Sequence, residues 1–545
     1  MNTKLYRLLL ALIFGLMLGL AYPPIPTGVT AAFAFVPLFL LFESIEEYGV
    51  GLRYSYLAFF IFNLITLYWA GGFAYCKDIY QMVAGILLLI AHPLFFSIPI
   101  MGWIFIRRQL GFKISILVFP FLWVTFEYLH SLTEISFPWL LLGNTQTYDL
   151  SIIQFASITG VYGVSFWLLW LNVLAFLSFT KIFLREWKPI SIGSLVTVIS
   201  FLTVFFLPKY FGNQLLNNPL PSAGAGVQVA VIQPNIDPFE KWEASPDEAL
   251  TIIQKQTNQI SGRQIDLVLW PETAVPFYIL HPANRYDFEK LKQQINLLNC
   301  NLLTGIPDIY YYLPGEDVPK SSKISVAGEH YDTYNSSMLL QPRKDEIQKY
   351  AKMLLVPFAE RVPFSEAMNF LNAMQWNFGL GGWAHGKDTT IFQCQTLRGM
   401  HIKFSNMICY ESIYPWLVTA FVRNGAQFLT VITNDSWWGN TSGTYQHKQI
   451  AIMRAVENRR WIVQCANGGI SCFIDPMGRI VQQTNMYEQV ILFGTVVPND
   501  EQTFYTRHGD WLAEVTLIIS SFFLVAAFGK KFYQHIRKKD INGIH

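Results

Sequence analysis

The sequence predicts a polytopic α-helical membrane domain followed by an α/β domain outside the bilayer, and three observations carry that expectation. Hydrophobic residues make up 52% of the 545 and charged residues only 14%, the balance of a chain that meets lipid over much of its surface. Long apolar stretches crowd the first 210 positions, whereas most carboxylates lie between Asp237 and Asp510. Within that acidic stretch, short apolar runs alternate with longer mixed segments, as in α/β folds. The net charge of +2, with no basic patch interleaved with aromatics, gives no support to a nucleic-acid partner.

The first apolar stretch, 8–22, follows Lys4 and Arg7. Pro23-Pro24-Ile25-Pro26 stands where a signal peptide would carry a small-residue cleavage site, so a retained helix is expected. Further spans are expected at 29–42, 56–72, 82–106, 114–129, 161–179 and 190–207, with an eighth at 511–528. A helix crosses hydrocarbon with roughly 17 to 25 residues, so 29–42 is short, but the charged flanks support counting it. With the N-terminus inside, the cytoplasmic flanks hold Lys4 and Arg7, then Arg53, then Arg107, Arg108 and Lys113, then Lys181, Arg185 and Lys188, and finally Lys530, Lys531, Arg537, Lys538 and Lys539. Dropping one helix breaks this alternation. The expected organisation is therefore a seven-helix transmembrane domain over 1–210, an extracytoplasmic domain over 225–500, a C-terminal transmembrane helix over 511–529 and a basic cytoplasmic tail over 530–545.

Two residues inside the apolar helices need an account. A carboxylate at mid-membrane costs about 2.5–3.5 kcal/mol on insertion scales, so Glu127 is either functional or paired, and both stay open. His92 beside Pro93 reads as a kink residue rather than a ligand.

In the second domain, strands are expected at 227–232, 265–270, 301–304, 337–340, 402–408, 427–433, 461–466 and 490–496, and helices at 246–260, 286–298 and 445–460. Segments 310–333 and 342–350 read as loops. The six cysteines form no CxxC pair and no zinc spacing, which leaves a disulfide between two of them open.

Cys409 closes the apolar run that begins near His401. A lone strand cysteine is more often structural than reactive. Two other stretches change the balance. Leu269-Trp270-Pro271-Glu272 ends a strand-like run on a carboxylate, and Lys352 precedes Met353-Leu354-Leu355-Val356-Pro357-Phe358-Ala359-Glu360. A thiol at neutral pH needs a base to deliver thiolate; Glu272 could serve, a contribution of about 10²- to 10⁴-fold. Lys352 could hydrogen-bond the oxyanion formed as thiolate adds to a carbonyl, about 3–4 kcal/mol per donor. No histidine sits in a motif that pairs it with Cys409, so a cysteine-protease pattern is unsupported.

Glu272 in Trp-Pro-Glu, Lys352 ahead of Leu-Val-Pro-Phe and Cys409 in Ile-Cys-Tyr-Glu resemble the Glu-Lys-Cys triad of the nitrilase (carbon-nitrogen hydrolase) superfamily. Thr433-Asn434-Asp435-Ser436-Trp437 and Arg454-Ala455-Val456-Glu457-Asn458-Arg459 resemble its later motifs. With helices on both sides, the chain is similar over its whole length to one membrane-embedded branch, the apolipoprotein N-acyltransferase family. The resemblance implies a nitrilase-like αββα sandwich with nucleophile Cys409, general base Glu272 and oxyanion lysine Lys352. It also implies that Glu360, Tyr410 and Glu411 shape the site, that Trp242 sits on an arm near the substrate entrance, and that Trp437 belongs to the site. Trp437, Trp438 and Glu457 have a plainer reading as core and ion-pair residues. Phe137-Pro138-Trp139 and the segment 503–510 also look like family segments. Departures are Ala359, where the family usually has glycine, Arg361 after Glu360, and a longer 310–333 segment.

The implied reaction is N-acyl transfer in lipoprotein maturation. An acyl chain passes from a membrane phospholipid, through a cysteine thioester, to the α-amino group of the diacylglyceryl-modified N-terminal cysteine of apolipoproteins. The implied setting is the bacterial cytoplasmic (inner) membrane, multi-pass, with both termini cytoplasmic and the catalytic domain periplasmic. No cofactor and no metal are implied; the partners are phospholipid, apolipoprotein and bilayer, and a monomer is the simplest state. Two rivals remain: an anchored small-amide hydrolase using the same triad, against which seven preceding helices argue, and a non-catalytic binding module, which would have lost a triad residue.

Overall fold

In the computed structural model, residues 3–73, 79–180, 191–217, 226–238, 246–366 and 382–542 are described. The apolar first part folds as helices α1 (Thr3–Gly19), α2 (Phe35–Glu43), α3 (Tyr48–Leu67), α4 (Ile79–Leu110), α5 (Phe112–Ser131), α6 (Ala156–Phe179) and α7 (Ile192–Asn217). Every apolar segment expected there carries helix, but not every one is a full span. Among the described residues, six helices are long and apolar enough to cross a membrane, the last being the C-terminal one. α1 is 17 residues long, and the 29–42 segment is a 3-10 turn, Gly28–Ala32, followed by the nine-residue α2. Gly15 lets α1 touch α3: a Cβ there would stand 2.7 Å from the Ala58 carbonyl oxygen.

Glu127 on α5 is buried and paired. Its Oε1 accepts from Trp123 Nε1 at 3.0 Å and from the Leu142 amide at 2.8 Å, tying α5 to the irregular segment between α5 and α6. That resolves its role toward structural pairing. His92 lies within α4 next to Pro93, 3.2 Å from Asn63 Nδ2 and against the Phe96 and Phe137 rings, which is packing rather than ligation.

The second domain contains strands β1 (Val227–Gln233), β2 (Leu267–Leu269), β3 (Asn301–Tyr311), β4 (Lys323–Ile324), β5 (His330–Leu340), β6 (Gln348–Ala351), β7 (Phe392–Gln395), β8 (His401–Ile408), β9 (Phe428–Thr433), β10 (Ile462–Ala466), β11 (Cys472–Ile474), β12 (Ile480–Gln483) and β13 (Val490–Val496). Its longer helices are α8 (Pro246–Thr257), α9 (Arg285–Leu298), α10 (Pro415–Arg423) and α11 (Ser442–Asn458); α12 (Trp511–Asn542) closes the chain. One sheet has the order β13-β1-β2-β3-β5-β4 with β6 on β5, and the other β12-β11-β10-β9-β8-β7. In each, the central strands are parallel and buried on both faces, which is why they read as unbroken apolar runs.

The layers are helix, sheet, sheet, helix. Ala230, Ile232, Val268 and Leu302 face Leu250, Ile253, Leu291 and Ile295 of α8 and α9. Val229, Val231, Leu267 and Leu269 turn to the opposite core, shared with the second sheet and with α10 and α11. Asn406 Nδ2 donates across the sandwich to Ser337 Oγ at 3.1 Å.

The expected loop 310–333 is partly strand: β3 runs on to Tyr311, β5 begins at His330, and β4 lies between them. The expected loop 342–350 likewise ends in β6. Exposed polar and aromatic side chains there hid the backbone pairing, since a two-sided ribbon lacks a clean apolar alternation. Cys300, Cys394, Cys409, Cys465 and Cys472 are free thiols.

Candidate active site

Strand ends deliver the site. Glu272 follows β2 by three residues, Asn335 stands within β5, Lys352 directly follows β6, and Cys409 directly follows β8. Lys352 is buried, and its Nζ lies 2.8 Å from Glu360 Oε1 and 3.6 Å from Glu272 Oε1. Asn335 Nδ2 donates to both carboxylates, at 2.8 Å to Glu272 Oε1 and 3.1 Å to Glu360 Oε1. Glu360 is itself fixed, its other oxygen accepting from the Val356 amide at 2.7 Å.

Burial alone would push the Lys352 ammonium down, but Glu360, Glu272 and Cys409 outweigh it and hold its pKa above the ordinary range. Burial pushes the Cys409 thiol well up; Glu272 adds to that, Lys352 opposes it, Asp435 adds again and a hydrogen bond from Thr433 opposes it. The resting thiol is therefore protonated at neutral pH and sits within electrostatic reach of Glu272, Lys352 and Asp435.

Cys409 opens a 3-10 turn, Cys409–Ile413, at φ 51°, a left-handed conformation that side-chain-bearing residues seldom adopt. Thr273 at φ 45° and Phe358 at φ 65° flank the same site. Such backbone gathers where a fold holds groups in place for chemistry. Glu411 secures the turn: it accepts from Tyr350 Oη at 2.5 Å, from the Met353 amide at 2.7 Å and from the Ile408 amide at 2.8 Å, joining the Cys409 turn to the Lys352 loop. Tyr410 Oη donates to the Ser136 carbonyl at 2.8 Å, hooking the turn to the segment after α5. A cleft of about 160 Å³, lined in part by Ser136, Leu354, Leu355, Tyr414 and Trp416, opens between that segment and the lysine loop.

Glu272, Lys352, Glu360, Tyr410, Glu411 and Cys409 are thus brought together. Trp437 lies half-buried on the short turn Asp435–Trp438, and Trp242 lies outside the described residues. Trp438 packs on Trp69 and Trp139 at 4.7 and 5.4 Å between ring centres, and Glu457 pairs with Arg454 at 2.7 Å, so the plainer readings of those two hold. Sequence reasoning missed Asn335, Ser412 and His447. Their one signal, visible only with the fold in hand, is burial of a polar side chain, which demands a partner.

The first part matches a sequence profile described as the apolipoprotein N-acyltransferase N-terminal domain over residues 14–174, and the second matches carbon-nitrogen hydrolase over 228–504. An apolipoprotein N-acyltransferase of Chlorobaculum tepidum is 37% identical over 96% of this chain and 97% of the relative; one of Geobacter metallireducens is 32% identical over 97% and 96%. This chain belongs to the apolipoprotein N-acyltransferase family. Among solved structures, a Saccharomyces cerevisiae member of the nitrilase superfamily aligns with 51% of this chain and 93% of its own, at 18% identity and TM-score 0.35. A Nesterenkonia amidase of the same superfamily aligns with 53% and 97%, at 16% identity and TM-score 0.35. The two apolipoprotein N-acyltransferases match nearly all of the chain, the apolar helices included.

Proposed function

We propose that the chain moves an acyl group from a membrane phospholipid, through a thioester on Cys409, to the α-amino group of the diacylglyceryl-modified N-terminal cysteine of an apolipoprotein. The observation that carries this reading is the Lys352 ammonium held between Glu272 and Glu360 beside a thiol on a strained turn. Glu272 takes the Cys409 proton as Sγ attacks the ester carbonyl carbon. Lys352 donates to the oxyanion. The carbon–oxygen bond breaks, Glu272 returns the proton to the leaving oxygen, and a lysophospholipid departs. In the second half the acceptor amine attacks the thioester carbonyl, Glu272 takes its proton, and the carbon–sulfur bond breaks to give the amide and the Cys409 thiol.

Glu360 and Glu411 position the lysine and the nucleophile turn; Tyr410 hooks that turn to the membrane part, and Trp242 and Trp437 contribute near the substrate. The apolar side chains Met353, Leu354 and Leu355 beside Lys352, with the cleft next to them, suit an acyl chain arriving from the bilayer. The charged flanks support cytoplasmic termini and a periplasmic catalytic domain.

Mass spectrometry of the purified chain incubated with phospholipid alone tests the reading against Cys409→Ala. A hydroxylamine-labile mass increase of one acyl chain on Cys409, discharged by a diacylglyceryl peptide rather than by water, is expected. An adduct that persists in Cys409→Ala rules out the nucleophile.

A further inference from the structure

Behind Cys409 lies a second polar cluster that the reaction above does not use. His447, on α11, is wholly buried together with Asp435 and Ser412. Its Nδ1 lies 3.0 and 3.2 Å from the two carboxylate oxygens of Asp435, and its Nε2 lies 2.7 Å from Ser412 Oγ and 3.2 Å from the Cys409 carbonyl oxygen. Ser412 Oγ donates to that same carbonyl at 2.9 Å, and Thr433 Oγ1 donates to Asp435 Oδ1 at 2.6 Å.

The oxygens around the ring favour its charged form. Asp435 offers only acceptors, so Nδ1 must carry hydrogen. The Cys409 carbonyl is also an acceptor, and with the Ser412 hydroxyl turned to it at 2.9 Å, Nε2 meets two oxygens and donates as well. In that arrangement both nitrogens donate, and the ring is an imidazolium ion-paired with Asp435. Burial would push His447 down, but Asp435, the Cys409 carbonyl and Glu272 outweigh it and hold it above its ordinary value. The groups that meet it are Asp435, Ser412 and the Cys409 carbonyl, with the Trp139 and Trp438 rings at 5.5 and 6.2 Å.

We infer that His447 is a positioning residue for Cys409. Its imidazolium cancels the Asp435 charge that would otherwise suppress the thiolate, and its Nε2–H pins the carbonyl of a residue held at φ 51°. Asp435 in turn keeps the ring charged and oriented. This rests on Cys409 being the nucleophile.

The test reads the rate and pH profile of iodoacetamide alkylation mapped to Cys409, in the full chain in nanodiscs. Slow or absent labelling of parent Cys409 at all pH values would count against the nucleophile itself. Given a reactive parent, His447→Gln keeps a donor but loses the charge; its thiol is to titrate at higher pH, with labelling near neutrality down about tenfold, or one pKa unit. Adding Asp435→Asn removes the uncompensated carboxylate and is to restore the profile, an outcome that mere loss of packing would not give. A parent-like profile in His447→Gln, or no recovery in the double variant, overturns the inference. Should His447→Gln fail to accumulate, Asp435→Asn alone decides: the inference requires labelling at least as fast as the parent's, and slower labelling overturns it.

Discussion

At the scale of single residues, the site is a set of buried charges each held by named donors, and Glu411 shows what that implies for pH. Burial pushes its carboxyl from 4.5 to about 7, against hydrogen bonds from Tyr350, Ile408 and Met353. The folded chain then binds a proton that the unfolded chain has released, so the contribution of Glu411 to stability is full below about 4.5 and is lost as pH rises through about 7. Glu411→Gln cannot lose that proton. Thermal midpoints in detergent should therefore show the parent losing ground to Glu411→Gln across that window, and parallel curves would contradict the assignment.

Which of these residues could be read from the sequence follows from where each one's information lies. Glu272 and Cys409 end apolar runs, and Lys352 precedes one, so local pattern and family motif both mark them. Asn335 meets Glu272 from 63 positions away and His447 meets Ser412 from 35, and no local spacing announces such contacts. Apolar runs covered on both faces, such as β9 and β10, were legible for the same local reason, as were the inner ends of β3 and β5, whereas their outer stretches and β4 were not.

Among the elements, α11 does the most. Ser412 and the Cys409 carbonyl meet its His447, and one turn of its surface carries Gln446, whose Oε1 accepts from Trp139 Nε1 at 2.7 Å and from Trp69 Nε1 at 3.2 Å. Its far end presents Glu457, which accepts from the Val161 amide of α6 at 2.7 Å. One helix thus supports the Cys409 turn and receives the apolar helices. Trp139→Ala removes a fully buried ring from this joint and should cost about 3–5 kcal/mol of stability. Trp139→Phe keeps most of the packing and forfeits the bond to Gln446, about 1 kcal/mol. The two thermal midpoints should fall in that order, and equal losses would mean that the hydrogen bond, not the ring, carries the joint.

For the whole molecule, the proposed topology, which rests on the charged flanks, makes one claim about sidedness. Under the proposed topology, Val326, fully exposed in the catalytic domain, and Lys113, exposed at the start of α5, lie on opposite sides of the membrane. A membrane-impermeant thiol reagent applied to spheroplasts should label Val326→Cys at once and Lys113→Cys only after lysis. Labelling in the reverse order would invert the topology.

The bond from Tyr410 to the Ser136 carbonyl bears on tempo. The Cys409 turn is hooked to the segment after α5, and α11 is bonded to Trp69, Trp139 and Val161, so among the described residues these contacts tie the two parts of the chain together. If the proposed lipid substrates reach Cys409 past such a fixed joint, they slide in sideways from the bilayer, and turnover should slow as bilayer viscosity rises while staying indifferent to the viscosity of the aqueous phase.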